Sequence, residues 1–312
     1  MAGTWRPIDG VLLFDKPLEL SSNTALQKVR RLFQAEKAGH TGTLDPLATG
    51  LLPVCFGEAT KFSFGLLESD KTYRALIKLG QTTTTGDAEG EITSQHEVRV
   101  TEAQVQEVLR GLSGEIQQLP PMHSALKHQG KPLYEYIRKG QTIERELRTV
   151  FIHELTMERL SVDELEITVR CSKGTYVRTL AEDIGKVLGC GAHLKGLRRT
   201  AISSFSLENA YTLDQLEQMT NSERDACLLP VDVMLNELPR LELDNVQVER
   251  LAQGQRLGMD LDLPDGKLRM YANDHFIGLG ELAGRRLAPS RLVSSVAKRA
   301  AQRGESVEAG NE

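Results

Sequence analysis

The stretch Gly39-His40-Thr41-Gly42-Thr43-Leu44-Asp45-Pro46-Leu47-Ala48-Thr49-Gly50-Leu51-Leu52-Pro53 holds one acid, Asp45, among Gly, Thr, Pro and small apolar residues. Glycines at 39, 42 and 50 permit unusual backbone angles and close approach of another chain segment. Pro46 pushes Asp45 toward an extended conformation and removes the next backbone N–H. The expected product is a rigid loop that holds a single carboxylate in a mostly apolar wall. Few purely structural loops need a carboxylate held that way. A structural reading competes with it: Asp45 as the N-cap of a helix starting at Pro46. The segment alone leaves both open.

The neighbouring pattern defines what must position this loop. Residues 10–15 read as a short buried strand. Ser21 or Ser22 then caps a helix to about Phe33, with Ala25, Val29, Leu32 and Phe33 on its apolar face and Lys28, Arg30 and Arg31 outward. Lys71–Leu79 alternates as a strand, and Gln81–Gly90 is a Thr-rich loop. Thr101 starts a helix to Leu112, with Gln104 in the capping-box position. Val150–Met157 and Leu165–Cys171 read as paired strands, Thr179–Leu188 as a helix closed by Gly189, and Arg198–Phe205 as a further strand. Helices are expected at 212–219 and 223–229. From Leu238 the chain reads as short strands with turns, ending near Leu292, and residues 293–312 as a disordered polar tail. The fold class is therefore α+β. A catalytic domain over 1–230, built on a mixed, mainly antiparallel sheet, precedes a small β-rich domain over 238–292.

Composition narrows the function. The net charge is −5, which argues against bulk polyelectrolyte binding, yet residues 121–200 carry 14 basic and 10 acidic side chains. A locally basic segment in an acidic chain fits either a phosphate-contacting face or an ordinary solvated surface. Within it, residues 121–149 interleave Met122, His123, Tyr134 and Tyr136 with Lys127, Lys131, Arg138, Lys139, Arg145 and Arg148. Such a mixture can stack bases and pair phosphates of looped RNA, or simply form a basic hairpin packed on its tyrosines. The apolar run Val11–Phe14 is broken at Asp15-Lys16, so neither a signal peptide nor a membrane span is expected. Cys55, Cys171, Cys190 and Cys227 show no paired spacing and read as reduced thiols of a cytoplasmic protein. Cys190 and His193 make half of a zinc spacing with no second half, so no metal site is expected. No Gly-rich nucleotide loop is visible either, which weighs against a methyltransferase with its donor cofactor.

The 39–53 stretch also resembles the catalytic motif of the bacterial tRNA pseudouridine synthase B (TruB) family. The resemblance extends in order through Gly10–Pro17, Gly57–Lys61, Lys71–Arg74, Ser124–Lys127, Cys171–Thr179, Gly189–His193 and Leu197–Arg199. It covers roughly residues 10–200 and is weaker after about Pro230. It implies conversion of one T-loop uridine of tRNA, position 55 in the family's usage, to pseudouridine on a flipped-out base, without cofactor. It implies Asp45 as nucleophile, Arg178 as its compensating cation, and Tyr73 beneath the uracil, where its hydroxyl can move a proton. Tyr176 and Leu197 match positions lining the uracil pocket, and His40 is suited to fill the gap left by the flipped base. Residues 121–149 match an insertion that grips the tRNA T arm, and the C-terminal unit resembles a PUA-like domain. Lys16, Lys61, Lys173, Arg198 and Arg199 are weaker expectations for RNA-backbone contacts. A monomer is expected. Bland alternatives persist: Arg178 in an ordinary salt bridge, Tyr73 and Leu197 as core, His40 as a satisfied loop histidine. A non-catalytic RNA-binding or tRNA-folding protein is the functional rival.

Overall fold

The computed structural model describes residues 5–296, apart from Ala125, Arg138 and the side chains of Pro132 and Tyr134. The readings placed on Arg138, on the Tyr134 ring and on residues 297–312 lie outside the described residues.

Among the described residues, nine strands form the main sheet. They are β1 (Gly10–Lys16), β2 (Ala38–His40), β3 (Ala48–Phe56), β4 (Lys71–Leu79), β5 (Gly114–Gln118), β6 (Arg148–Leu160), β7 (Glu164–Cys171), β8 (Ala192–Ile202) and β9 (Phe205–Ser206). The path runs β1-β3-β8-β4-β7-β6-β5, with β2 on β3 and β9 on β8. Every pairing is antiparallel except β3 with β8, where Leu197 stands opposite Ala48.

Two helical layers cover one face. Helix α1 (Ser22–Leu32) is capped by the Ser21 side chain and buries Ala25, Leu26 and Val29 against Leu12, Phe14, Leu52 and Val54. Helix α2 (Glu102–Gly111), with its Thr101/Gln104 capping box, packs beside α3 (Val177–Leu188). Together they bury Val105, Leu109, Leu180 and Ile184 on Ala75, Ile77, Ile167 and Val169. Tyr73 and Leu197 pack against both clusters, so they floor the cleft where the two layers meet.

Several element boundaries differ from the sequence reading. No helix starts at Pro46. Asp45–Ala48 is a tight turn in which the Ala48 N–H donates to the Asp45 carbonyl at 3.0 Å, and the chain then enters β3. That removes the helix-cap reading of Asp45. The helix expected from Thr179 starts at Val177, so Arg178 lies in its first turn rather than in an extended run with Tyr176. The strand expected at 198–205 runs from Ala192 to Ile202.

Residues 119–147 leave the sheet at one point, because β5 and β6 pair directly with Gln118 opposite Arg148. They form a two-residue hairpin (127–128 with 131–132) and a short helix, Leu133–Ile137. Lys127, Lys131, Lys139 and Arg148 are exposed there. The C-terminal unit is a five-stranded sheet anchored on the opposite face of the main sheet. Phe276, Leu279 and Val293 pack with Phe62 and Leu66. Val293 is buried and the Ser294 N–H donates to Glu58 at 2.7 Å, so residues 293–296 are docked structure rather than the start of a free tail.

Candidate active site

Asp45 reaches its place through three local devices. Ser22, at the start of α1, is buried and clamps Leu44: its Oγ accepts from the Leu44 N–H at 2.7 Å and donates to the Leu44 carbonyl at 2.8 Å. Arg199 on β8, also fully buried, donates to the carbonyls of Leu51 at 2.7 Å and Gly42 at 3.1 Å. Gly50 has φ +100°, and a Cβ there would lie 2.3 Å from the Arg199 carbonyl oxygen, so only glycine lets β3 approach β8 this closely. Ser22→Ala strands both polar groups of Leu44. It should cost roughly 2 kcal/mol in chemical denaturation and loosen the Asp45 loop enough to slow turnover. Wild-type stability in that variant would show the clamp to be incidental.

Arg178 is the hub of the site. One terminal nitrogen lies 3.1 Å from an Asp45 carboxylate oxygen and donates to the His123 carbonyl at 2.5 Å. The other lies 3.1 Å from Asp87, a carboxylate with 3% exposure, and 3.4 Å from the Thr85 carbonyl. A planar fork can serve two acids and two carbonyls at fixed angles, which an ammonium cannot do. Gln118 completes the frame. Its side chain accepts from the Tyr176 N–H at 3.0 Å and donates to the Tyr176 carbonyl at 3.3 Å, fixing the residue from which α3 starts.

These groups enclose a cavity of about 180 Å³ lined by Asp45, Tyr73, Ser124, Tyr176, Arg178 and Leu197 among others. That is well below the several hundred Å³ of drug-sized sites and suits one planar ring. Burial pushes the Asp45 carboxyl above the ordinary carboxylate range; Arg178 opposes the shift, Asp87 adds to it, and Lys16 opposes it. Burial likewise raises the Tyr73 phenol, while the neighbouring Arg199 guanidinium pulls it back by charge and hydrogen bonding. His40 stands on β2, half-buried, with its Nδ1 unpartnered among the described residues and its pKa lowered by burial and then by Arg199. It does not line the cavity.

Of the five expected backbone-contacting cations, two are buried and cannot meet a phosphate. Lys16 has no exposure: its Nζ donates to the carbonyls of Pro17 at 2.9 Å and Leu20 at 2.6 Å, and burial lowers its pKa to about 8. Arg199, 1% exposed, is spent on the loop. Lys61, partly exposed, ties Glu58 and Ser294 together at 2.9 and 2.8 Å, joining the turn after β3 to the C-terminal unit. Lys173 is exposed and pairs with Glu68, and Arg198 is half-exposed and pairs with Asp15 at 2.6 Å. His193, the half-zinc residue, takes its Nδ1 to the Gln81 carbonyl at 3.1 Å.

Sequence reading missed Asp87, Ser22, Gln118 and the pocket role of Ser124. Asp87 carried a usable signal. It follows Thr82-Thr83-Thr84-Thr85-Gly86, an acid in a Thr/Gly loop much like that around Asp45.

Comparison with known proteins gives a consistent picture. Residues 30–177 match the model of the TruB family pseudouridylate synthase N-terminal domain. Residues 178–236 match the tRNA pseudouridylate synthase B C-terminal domain, and 239–293 the C-terminal model of pseudouridine synthase II TruB. A protein of Methylobacillus flagellatus named tRNA pseudouridine synthase B is 55% identical over 290 residues, covering 92% of this chain and 96% of its own. One of the same name from Burkholderia mallei is 55% identical over 295 residues, covering 92% and 98%. Among solved structures, a chain of a Cbf5-Nop10-Gar1 complex superposes with a TM-score of 0.70 at 25% identity, covering 91% of this chain and 84% of that one.

Proposed function

This chain belongs to the TruB family of pseudouridylate synthases, and from that premise we propose that it isomerises a T-loop uridine of tRNA, position 55, to pseudouridine. The reaction detaches uracil from ribose, turns it and rejoins it through carbon. It consumes no group and changes no oxidation state, so it calls for a nucleophile, proton handling and a closed pocket, and no cofactor. The observation that carries the reading is a carboxylate, Asp45, held by the fork of Arg178 over a cavity sized for one ring.

In this reading Asp45 supplies the nucleophile and Arg178 keeps it ionised against its burial. Tyr73 lies under the flipped ring, Leu197 and Tyr176 close its sides, and His40 occupies the gap left in the T loop. Lys173, Arg198 and the exposed lysines of residues 121–149 meet RNA phosphates, and the insertion grips the T arm. The enzyme works as a monomer in the cytoplasm.

Incubating the purified protein with an unmodified tRNA transcript, without metal or cofactor, and mapping pseudouridine by chemical labelling tests the reading. Pseudouridine at the T-loop position is the expected result. Tight binding with no pseudouridine would instead assign the protein to RNA binding or folding.

A further inference from the structure

Ser124 is 5% exposed and forms part of the cavity wall, yet among the described residues its hydroxyl has no hydrogen-bond partner. A buried hydroxyl left unmet costs free energy that a structural role would avoid. Its position is fixed by the chain that leads into it. The preceding carbonyl, of His123, accepts from Arg178 at 2.5 Å, and the segment begins at Gln118, which is bonded to both backbone polar groups of Tyr176. Ser124 therefore stands where the 119–147 insertion meets the pocket, beside the guanidinium that holds Asp45.

The chemistry of the proposed substrate says what could use such a hydroxyl. Moving the ribose bond from N1 to C5 requires the detached ring to turn about the axis through N3 and C6. That turn exchanges N1 with C5 and O2 with O4, and leaves N3–H in place. The edge O2, N3–H, O4 presents acceptor, donor and acceptor in both orientations. A serine hydroxyl, able to donate or accept and free to swing about one side-chain bond, can hold this edge before and after the turn. Resting on the uridine-to-pseudouridine reading above, we propose that Ser124 Oγ turns into the filled cavity and donates to the ring carbonyl facing it, keeping the released ring in the pocket while it reorients.

The test is single-turnover product formation by full-length wild type and Ser124→Ala. Each acts on tRNA whose target is uridine, 2-thiouridine or 4-thiouridine, since a thiocarbonyl accepts hydrogen bonds weakly. Because the hydroxyl has no partner among the described residues, the variant should melt no lower than wild type and bind tRNA within twofold of it. It should form product about tenfold more slowly, the loss expected of one hydrogen bond. The thio substitutions should slow wild type and cost the variant less, the signature of a direct contact. Wild-type rates in Ser124→Ala, thio penalties equal in both proteins, or a variant melting several degrees lower would each overturn the proposal. A wild-type protein that makes no pseudouridine brings down the functional reading and this one with it.

Discussion

Asp45→Asn should abolish pseudouridine formation, with a fall of about 10⁴-fold or more in single-turnover rate, while tRNA affinity stays within a few-fold of wild type. The first half follows from chemistry: an amide cannot replace a carboxylate nucleophile, and removing such a group has costs of that order in other enzymes. The second follows from where affinity resides, in many phosphate contacts spread over the surface rather than in the pocket. A third consequence concerns stability. The folded-state pKa of Asp45 is raised, chiefly by burial. The folded protein therefore holds this proton more tightly than the unfolded chain. The associated stability is present below the unfolded pKa and is lost as pH rises through the folded pKa. The Asp45 side chain is 45% exposed and paired with Arg178 at 3.1 Å, so this effect is small at neutral pH and Asp45→Asn should melt close to the wild-type temperature. Product mapping, filter binding and a thermal melt check the three statements separately. Turnover retained by the variant would remove Asp45 from the mechanism.

The residues just named also show what a sequence displays and what it hides. Asp45 stood out because its neighbours were wrong for a surface turn, and β4 because Tyr73, Ala75, Ile77 and Leu79 alternate with polar residues. Both are local signals, legible within ten residues. Lys16 and Arg199 misled for the opposite reason. A cation looks alike in sequence whether it meets a phosphate or caps buried carbonyls: Lys16 caps carbonyls within four residues of itself and Arg199 one 148 residues away, and no periodicity marks either. The Ser22 clamp on Leu44 spans 22 residues and the Gln118 clasp on Tyr176 spans 58, so no periodicity announces them. Asp87 is the instructive omission. A buried Arg178 with two terminal nitrogens has capacity for a second acid, and the Thr/Gly loop of residues 82–87 held one.

That second acid decides what Arg178→Met should do. In wild type the guanidinium is the leading influence holding the Asp45 carboxyl down against burial. Without it, burial and the Asp87 charge act unopposed except by Lys16, so the Asp45 pKa rises further. The ionised nucleophile is lost as pH falls through that pKa, and the acid limb of the pH–rate profile should move to higher pH in the variant. Stability should also fall. Asp87 is 3% exposed and paired with Arg178 at 3.1 Å, so the substitution leaves a buried carboxylate bare, a loss of roughly 3–5 kcal/mol. The two effects separate in Asp87→Asn/Arg178→Met. Neutralising Asp87 should recover much of the stability, because no bare buried charge remains, and little of the activity, because Asp45 still lacks its cation. Arg178→Lys should fall between, since a point charge reaches one acid and cannot span both. Denaturation curves and pH–rate profiles on the four proteins distinguish these outcomes. An acid limb that stays in place in Arg178→Met would mean that the pair at 3.1 Å does not govern the ionisation of Asp45, and that the guanidinium serves the fold of the cleft alone.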